Sequence, residues 1–596
     1  MPTWLIALDR HFPVRFLTLA AAALLLLAGL ARWLLLGEGT SQGLGWALAG
    51  AAVLALGLRD LRQTRHALLR NYPVIGHLRF LFEWVRPEIR QYFLESDREA
   101  VPFSRQQRSL VYQRSKGESD KRPFGTQLAV MEPGYEWINH SLQPSVLAGH
   151  DFRTSIGGSR CSQPYSASLF NISAMSFGAL RANAIMALNK GAKAGGFAHD
   201  TGEGSISSHH RLHGGDLIWE IGSGYFGCRD EAGRFNDAKF SANARDPQVK
   251  LIELKLSQGA KPGHGGVLPG PKVSPEIAAA RGVPVGVDCV SPSSHSAFST
   301  PIEMLQFMDK LRRLSGGKPV GFKLCIGHPW EWFALAKAML ETDLLPDFIV
   351  VDGGEGGTGA APLEFTDHVG APMQEGLRLV HNTLVGLGLR SRIRIGCAGK
   401  IVSAFDIARA MALGADWCNS ARGFMFALGC IQAQHCHTGA CPTGVATQDA
   451  KRQQALVVPD KAQRVQHFHR QTLAALQELV QAAGLQHPNQ ISAAHIVRRI
   501  ADQDVRLLSN LLSTVAPGAL LAAERGQAEW PHKVFSLYWP LARSDSFQPL
   551  QPAVPASPAV PAVPAVPAGR GQAPLRGDFG QPAALPITTP TSAALA

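Results

Sequence analysis

The feature that most constrains the fold is a regular alternation of short apolar runs with helical stretches. Eight runs each end in polar or glycine residues: Leu169–Ser173, Gly196–Ala198, Leu251–Lys255, Val285–Asp288, Val320–Leu324, Phe348–Val351, Ile393–Gly396 and Asp416–Cys418. Eight β–α alternations over roughly 250 residues are typical of a (β/α)8 TIM barrel. An open doubly wound sheet would carry a glycine fingerprint after its first strand, and none follows Leu169–Ser173. The predicted fold class is therefore α/β, with a (β/α)8 barrel.

Helical stretches follow most of these runs, and four are clear: Ala179–Ala194, Pro301–Leu314, Trp330–Leu340 and Ala404–Leu413. In such a barrel the functional residues lie at the rim where the strands end. The predicted strand ends are Met175–Ser176, Asp200–Glu203, Lys255 with Lys261, Ser291–His295, Lys323, Asp352–Gly359, Gly399–Lys400 and Asn419–Gly423. We therefore expect lysines, carboxylates and glycine loops to converge on one rim.

Two apolar segments precede the barrel. Phe16–Leu36 is long enough to span a bilayer, and Leu44–Leu58 is a second, shorter run. Arginines lie before the first run and after the second, so the positive-inside rule places both ends in the cytoplasm. We predict a transmembrane hairpin with basic flanks over residues 1–70, spanning about 16–36 and 44–58, in the inner (cytoplasmic) membrane. A signal peptide is the alternative, but a second apolar run follows the first.

The charge of the chain fits this location. The net charge is +12, and half of it lies between Arg59 and Arg122, where 14 Lys/Arg oppose 8 Asp/Glu. No recognition motif for nucleic acid accompanies this stretch, so we expect no nucleic-acid partner. Because the stretch directly follows the apolar segments, a membrane surface is the simpler explanation.

The remaining chain divides by composition. Residues 71–165 are charged and mixed, and we expect a lead-in with a short helix. Residues 166–450 hold the barrel and its cysteine loop, and residues 451–543 are expected to form a helical extension. Residues 544–596 are rich in proline and alanine, cannot bury a core, and are expected to be a disordered spacer.

Three cysteines lie close together as Cys430-x5-Cys436-x4-Cys441, followed by proline. Thiolates hold iron–sulfur clusters, and three of them favour a 3Fe–4S centre or a cluster with a fourth ligand elsewhere. Zinc is an alternative, with His435 or His437 as fourth ligand, although the spacing is wider than in a zinc knuckle. Buried structural thiols are the third explanation.

Glycine-rich loops follow the last three runs. Asp352–Pro362 reads DGGEGGTGAAP, Gly399-Lys400 follows the seventh run, and Ser420–Gly423 follows the eighth. Glycines let a backbone approach a planar or phosphorylated ligand closely. Any one of these loops could be a tight turn, but three on one rim favour a site for the ring and phosphate of FMN.

Charged side chains near the strand ends are candidates for catalysis. A lysine close to a flavin can hold a substrate carboxylate, and Lys255 and Lys323 end apolar runs. Glu203, on a glycine-flanked loop, can act as an acid or base or can position ammonia, whereas a loop-capping role is the alternative. We predict that Glu203, Lys261 and Lys255 are the catalytic residues.

From about Arg98 to Arg498 the chain resembles the FMN-binding, synthase part of glutamate synthase. The segments SAMSFGAL, DTGEGS, QGAKPGHGG, DGGEGGTGA and CHTGACPTGVATQ carry the resemblance in order. It implies FMN, and a 3Fe–4S cluster on Cys430, Cys436 and Cys441. The residues it implies around FMN are Ser173, Ala174, Met175, Ser176, Lys323, Asp352, Gly353, Gly354, Gly357, Gly399, Lys400, Ser420, Arg422 and Gly423.

The resemblance also implies a reaction. Reduced FMN would pass a hydride to the imine of 2-oxoglutarate and ammonia, giving glutamate. Lys261 would contact 2-oxoglutarate, and Glu203 would stand where ammonia enters. The cluster would deliver electrons from an external donor such as ferredoxin or a reductase, because no pyridine-nucleotide domain and no glutamine amidotransferase domain are recognised in the sequence.

Two departures from the family concern the acceptor. The family usually reads KPGEGGQ where this chain has His264 and Val267, and SPPPHHD where it has Ser291-Pro-Ser-Ser-His295-Ser. Loss of a polar substrate contact can change specificity, so the substrates could also be a related 2-oxo acid and an amine. The alternative function is a membrane-associated FMN and iron–sulfur electron-transfer subunit that makes no amino acid.

Overall fold

A closed barrel of eight parallel strands forms the centre of the protein. The structure, a computed structural model, describes residues 13–35, 40–98, 101–359, 361–447 and 449–550, so most of the predicted proline-rich tail lies outside the described residues. The barrel strands are β1 (Phe170–Ile172), β2 (His199–Asp200), β3 (Leu217–Ile221), β4 (Val249–Lys255), β5 (Val320–Leu324), β6 (Phe348–Asp352), β7 (Arg394–Ala398) and β8 (Trp417–Ser420). Each strand pairs with the next, and Ser420 of β8 lies opposite Ile172 of β1 to close the barrel. The predicted (β/α)8 barrel is confirmed.

One predicted strand is wrong, one was missed, and the observed strand His199–Asp200 begins directly after the predicted Gly196–Ala198. Val285–Asp288 is part of the long connection between β4 and β5, with Val285 and Val287 more than half exposed. Gly286 there has φ 74°, a left-handed conformation that interrupts an extended strand. The missing barrel strand is Leu217–Ile221, where the sequence LIWEI carries a glutamate inside an otherwise apolar run.

Helices cover the outside of the barrel and seal its apolar interior. Their bounds are Ala182–Gly195, Asp237–Ala244, Pro301–Leu314, Pro329–Thr342, Met373–Gly386, Ala404–Ala412, Arg422–Leu428 and Val458–Ala482. Local sequence explains where they begin: Thr300 and Glu303 form a capping box before Pro301–Leu314. The four helices predicted from sequence are all present within a few residues of their expected bounds.

The two N-terminal apolar segments form the helices Leu17–Leu35 and Thr40–Arg62, both long and apolar enough to cross a membrane. Glycines bring them into close contact. A Cβ atom on Gly29 would lie 2.4 Å from the backbone nitrogen of Ala47, and one on Gly50 would lie 2.5 Å from that of Leu26. Most of their leucines are nevertheless exposed.

The segments on either side of the barrel contain more regular structure than the sequence suggested. The lead-in forms the helices Ala67–Asn71, Gly76–Ile89 and Arg105–Lys116, the π-helical turn Arg90–Leu94, and the strands Glu136–Ile138 and Arg153–Ile156. The expected helical extension also contains two strands, Ile496–Arg499 and Val505–Leu507. The first of these pairs with Glu136–Ile138, because a β-strand needs a partner from elsewhere in the chain.

Candidate active site

The barrel rim brings the three predicted catalytic side chains together. Glu203 lies on the loop after β2, Lys255 ends β4, and Lys261 lies on the loop that follows. Lys255 Nζ is 2.8 Å from Glu203 Oε2, and it also donates to Gln258 Oε1 at 2.7 Å. The Lys261 ammonium donates to the carbonyl of Gly265 at 2.9 Å. The loop therefore folds back on itself and brings both lysines beside Glu203, and the space around these three side chains at the rim is here named the cleft.

The cations beside Glu203 determine its protonation state. Burial by itself raises the pKa of Glu203, but Lys255, Lys261 and Arg281 lower it to about 2. Glu203 is thus a carboxylate at neutral pH, able to accept hydrogen bonds but unable to donate a proton. Burial lowers the pKa of Lys261, and nearby Glu203 partly opposes that shift.

Glycine lets the β4–β5 connection pass directly over Glu203. A Cβ atom on Gly266 would lie 2.6 Å from Glu203 Oε1 and 3.2 Å from Ser291 Oγ. Ser291–His295 thus lies beside the cleft, although within a connection and not at the end of a barrel strand as predicted. The backbone N–H of Ser291 donates to the Gly266 carbonyl at 2.8 Å and holds the two parts of the connection together.

His295, in this connection, links two other parts of the structure through its ring nitrogens. Its Nε2 lies 2.8 Å from the Lys255 carbonyl and its Nδ1 lies 3.1 Å from the Tyr225 hydroxyl. A carbonyl can only accept, so Nε2 carries the proton and Nδ1 accepts from Tyr225. Burial lowers the pKa of His295 to about 4, which keeps the ring neutral. His295 thereby fixes the backbone of Lys255.

Lys323, predicted to contact FMN, points into a buried cluster of carboxylates. Its Nζ contacts Glu220 Oε2 and lies 3.2 Å from Glu253 Oε1. Burial raises the pKa of both Asp200 and Asp352, and neighbouring carboxylates raise them further. Burial lowers the pKa of Lys323, but the surrounding carboxylates raise it well above its ordinary value.

Glu220 and Glu253 were not predicted from the sequence. Both lie in strands that are otherwise almost completely buried, in LIWEI and VKLIELK. A carboxylate within such an apolar run has to find a partner inside the barrel. That position in the sequence was the available signal for both residues.

The glycine loops pack tightly against each other at the ends of β6 and β7. A Cβ atom on Gly353 would lie 2.2 Å from Glu355 Oε2, and one on Gly399 would lie 2.6 Å from Met373 Cβ. Glu355 accepts a hydrogen bond from the Met373 backbone at 2.9 Å and so ties the loop to the next helix. Packing inside the protein therefore requires glycine at both positions, in addition to any approach by a ligand.

The other predicted FMN residues border the same rim. Ser173 N–H donates to the Ser420 carbonyl at 3.1 Å, and Arg422 donates to the Gly357 carbonyl at 3.1 Å. Met175 is buried and Lys400 is exposed. The remaining predicted positions follow the same strands: Ala174 and Ser176 come after β1, Gly354 after β6 and Gly423 after β8. Two cations, Lys400 and Arg422, thus follow adjacent strands beside glycine loops, a donor set that fits a phosphate group.

The cysteine loop begins directly after the helix Arg422–Leu428. The Tyr112 hydroxyl donates to the Cys430 carbonyl at 2.6 Å, and a Cβ atom on Gly359 would lie 3.3 Å from Cys436 Cβ. Burial raises the pKa of Cys441, but the Thr443 hydroxyl and backbone N–H groups of residues 443, 445 and 446 lower it below its ordinary value. Donors directed at sulfur stabilise a thiolate, which fits an iron–sulfur ligand.

The two residues that depart from the family lie at the edge of the cleft. His264 packs against Phe365, with ring centroids 5.3 Å apart, and its Nδ1 lies 2.7 Å from the Gly265 carbonyl. Val267 pairs with Val290 in a short pair of antiparallel strands and is 38% exposed. The two substitutions therefore lie in different contacts of the β4–β5 connection, His264 against Phe365 and Val267 opposite Val290.

Solved structures with similar folds include a mutant flavocytochrome b2 with pyruvate bound and a mandelate oxidase mutant with (S)-mandelic acid. The first has 11% identity and a TM-score of 0.37 over 75% of this chain and 90% of that chain. The second has 15% identity and a TM-score of 0.37 over 67% of this chain and 90% of that chain. Similarity at this level says nothing about function, and the barrel is identified from the pairing of its own eight strands.

Sequence relatives are closer. Residues 153–486 match the family described as the conserved region in glutamate synthase. The glutamate synthase large subunit-like protein YerD of Bacillus subtilis is 40% identical over 496 residues, which cover 76% of this chain and 94% of YerD. The archaeal glutamate synthase (NADPH) of Methanocaldococcus jannaschii is 36% identical over 315 residues, 53% of this chain and 58% of the relative. The chain therefore belongs to the glutamate synthase family.

Proposed function

We propose that the protein reduces the imine formed from 2-oxoglutarate, or a related 2-oxo acid, and ammonia or an amine, giving an amino acid. This would make it an oxidoreductase of the CH–NH2 class, with 2-oxoglutarate and ammonia as the substrates favoured by family membership. The observation that carries the proposal is the group of Glu203, Lys255 and Lys261 on one side of a barrel cleft. A cationic lysine suits the carboxylate of a 2-oxo acid, and a carboxylate suits ammonia.

Each of the three side chains has a distinct task in this proposal. Lys261 binds and orients the acid, since its buried ammonium donates to the Gly265 carbonyl at the rim and carries a charge opposite to that of the acid. Glu203 stays ionised and accepts hydrogen bonds from the entering ammonia, because its lowered pKa prevents it from acting as an acid. Lys255 holds Glu203 in place at 2.8 Å and is itself fixed by Gln258. Such positioning lowers the entropic part of the barrier.

FMN is the cofactor that this site fits, and when bound it would supply the hydride. Lys400 and Arg422 would hold its phosphate. Ser173–Ser176, Asp352–Gly357, Gly399, Ser420 and Gly423 would surround the rest of the cofactor. Lys323 and its carboxylate partners would supply fixed charges next to the cofactor. One net hydride and one proton convert each imine to an amine.

The cysteine loop is proposed to bind a 3Fe–4S cluster. Cys430 lies close enough to Cys436 and Cys441 that both thiols, after burial, raise its pKa to about 11. Three cysteine ligands on one loop suit a 3Fe–4S cluster.

The electron donor is proposed to be external, a ferredoxin or a reductase. The helices Leu17–Leu35 and Thr40–Arg62 are proposed to anchor the protein in the cytoplasmic membrane, with the barrel in the cytoplasm. The alternative function is a membrane-associated electron-transfer subunit that uses the flavin and cluster without making an amino acid. Val267, apolar and 38% exposed where the family usually has a polar substrate contact, favours that alternative.

The test begins with anaerobic purification of the full chain and a visible spectrum with iron, sulfide, zinc and flavin analysis. We expect one FMN and about three iron atoms per chain, the stoichiometry of a 3Fe–4S cluster. Dithionite-reduced protein is then supplied with 2-oxoglutarate and ammonium, and glutamate is measured. Glutamate supports the synthase. Oxidation of reduced protein by a quinone analogue, with no amino acid from any 2-oxo acid, would establish the alternative.

A further inference from the structure

We propose that the juxtamembrane helix, defined as Gly76–Ile89 with its continuation Arg90–Leu94, lies flat on an anionic bilayer surface. Its large apolar side chains are unusually exposed. Leu78, Leu81, Phe82, Ile89 and Tyr92 form one stripe at helical spacing, and each is between 38% and 64% exposed. A contiguous apolar stripe of this size on the surface of a protein marks a binding face.

The charges beside the stripe select the partner. Arg79, Arg86 and Arg90 lie along one edge of the helix, and with Phe82, Ile89, Glu83 and Glu95 they line a groove of about 780 Å³. Glu83 pairs with Arg79 at 2.9 Å and Glu95 pairs with Arg108 at 2.6 Å, so the exposed Arg86 and Arg90 are the cations available to an anionic headgroup. A guanidinium pairs with phosphate through parallel hydrogen bonds. Apolar side chains next to arginines are the composition of an interfacial helix, which buries its apolar face among acyl chains and its cations among anionic headgroups.

Contacts with the hairpin set the depth of this helix. Asp60, near the end of Thr40–Arg62, accepts from the backbone N–H of Val74 at 2.9 Å, and its carboxylate lies 3.0 Å from His77 Nε2. The Thr18 hydroxyl, at the start of Leu17–Leu35, donates to the Pro73 carbonyl at 2.8 Å. The juxtamembrane helix therefore begins at the end of the hairpin where both basic flanks lie, which is the level of the lipid headgroups.

The other side of the juxtamembrane helix touches the cysteine loop. The Gln91 amide donates to the Ile431 carbonyl at 2.5 Å, one residue after Cys430. The Gln432 amide donates to the Phe103 carbonyl at 3.0 Å, which ties the loop to the lead-in a second time. A helix lying on the bilayer thus holds the cysteine loop at the membrane surface. This step rests on the proposed function: with a cluster on the loop, electrons would enter the protein within reach of a membrane-bound reductant.

The experiment uses full-length protein in vesicles of phosphatidylcholine with or without phosphatidylglycerol. A photo-crosslinker is introduced as Phe82→p-benzoylphenylalanine, with Leu142→p-benzoylphenylalanine as the matched control. Leu142 is 98% exposed and follows Ser141, which binds the last turn of Val458–Ala482. The first turns of that helix lie by the cysteine loop, since Lys461 Nζ is 3.8 Å from a Cβ atom built on Gly429. Its 25 residues span about 37 Å, so Leu142 is far from the loop.

We expect lipid adducts at position 82 in at least tenfold excess over position 142. Adding Arg79→Gln, Arg86→Gln and Arg90→Gln should reduce the yield in phosphatidylglycerol vesicles to that in phosphatidylcholine alone. Absence of lipid adducts, or adducts to a second copy of the chain or another protein, overturns the proposal, and an equal yield in both lipids overturns its anionic part. Dithionite-driven amino-acid formation in the same vesicles separates the two ideas, because crosslinking does not depend on turnover.

Discussion

At the scale of single residues, the cleft is built from opposite charges, and its cations keep Glu203 ionised. Glu203 is kept ionised by the lysines around it, and Lys255 is positioned by Glu203 and Gln258. Among the described residues, the Lys261 ammonium donates to a backbone carbonyl and to no carboxylate, so Lys261 is the group best placed to bind an anionic substrate. A carboxylate that displaces Gly265 from Lys261 would gain a charge-assisted hydrogen bond.

Replacing Lys261→Met should therefore weaken substrate binding. A hydrogen bond to a charged group contributes about 1.5–3 kcal/mol, so KM for the 2-oxo acid should rise about 10- to 100-fold. The matched control is Lys193→Met, an exposed lysine on the helix Ala182–Gly195. Steady-state kinetics with dithionite as donor provide the measurement, and bound flavin should be unchanged. An unaltered KM would show that Lys261 does not bind the acid.

The buried carboxylates predict a pH-dependent stability. Burial raises the pKa of Glu253 to about 7, although Lys323 partly opposes the shift. Because the folded state binds this proton more tightly than the unfolded chain, the contribution of Glu253 to folding stability is fully present below its ordinary pKa of about 4.5. It is lost as the pH rises through 7. Glu253→Gln should remove this loss, with a gain on the order of 1–3 kcal/mol at pH 8 and little change at pH 5.

Thermal unfolding at pH 5, 6, 7 and 8 would measure the effect as a difference in Tm. Glu276→Gln serves as the control, because the Glu276 side chain is 64% exposed. A Glu253→Gln difference that stays constant across this range would mean that Glu253 does not titrate there.

At the scale of elements, the hairpin depends on backbones that approach closely. Gly29, Gly43 and Gly50 leave no room for a Cβ atom between the two helices, whereas a Cβ on Gly45 would have nothing within 4 Å. Small residues at such a seam allow van der Waals packing in lipid, where the hydrophobic effect does not hold helices together.

Gly50→Leu should therefore separate the helices, and Gly45→Leu on the same helix should not. Overpacking costs about 1–3 kcal/mol, so we expect the first variant to aggregate at a lower temperature in detergent. Light scattering during heating of the purified protein provides the measurement. Equal aggregation temperatures for the two leucine variants would contradict the glycine seam.

At the scale of the whole molecule, the two ends of the barrel have separate tasks. The rim carries the candidate site, and the opposite end is closed by the buried carboxylate of Asp347. This residue accepts from Arg312 at 3.0 Å and from the backbone N–H groups of Gly158 and Val320 at 2.6 and 2.8 Å. The side chains of Arg312 and Asp347 are 5% and 2% exposed, so their charges are shielded from water.

Asp347→Asn should destabilise the fold without altering chemistry at the rim. Removing one charge from a buried pair costs about 3–5 kcal/mol. Asp343→Asn is the control, because Asp343 is 70% exposed and its pair with Arg392 should contribute less than about 1 kcal/mol. Urea unfolding measures the stability, and kcat well below the unfolding range should match the parent. A large loss of kcat in the folded variant would show that the two ends are coupled.

The sequence alone determined the barrel, most of its strands and the contents of its rim, because apolar runs and glycine loops follow local rules that a chain carries in its residue order. One strand was misplaced. Val285–Asp288 has an alternating apolar pattern typical of a strand, and Leu217–Ile221 contains a glutamate that is unusual in a buried strand. Only the tertiary structure showed that Glu220 and Glu253 surround Lys323, and that Gln91 and Tyr112 hold the cysteine loop. These contacts join residues far apart in the chain, and only closure of the barrel and docking of the lead-in bring them together.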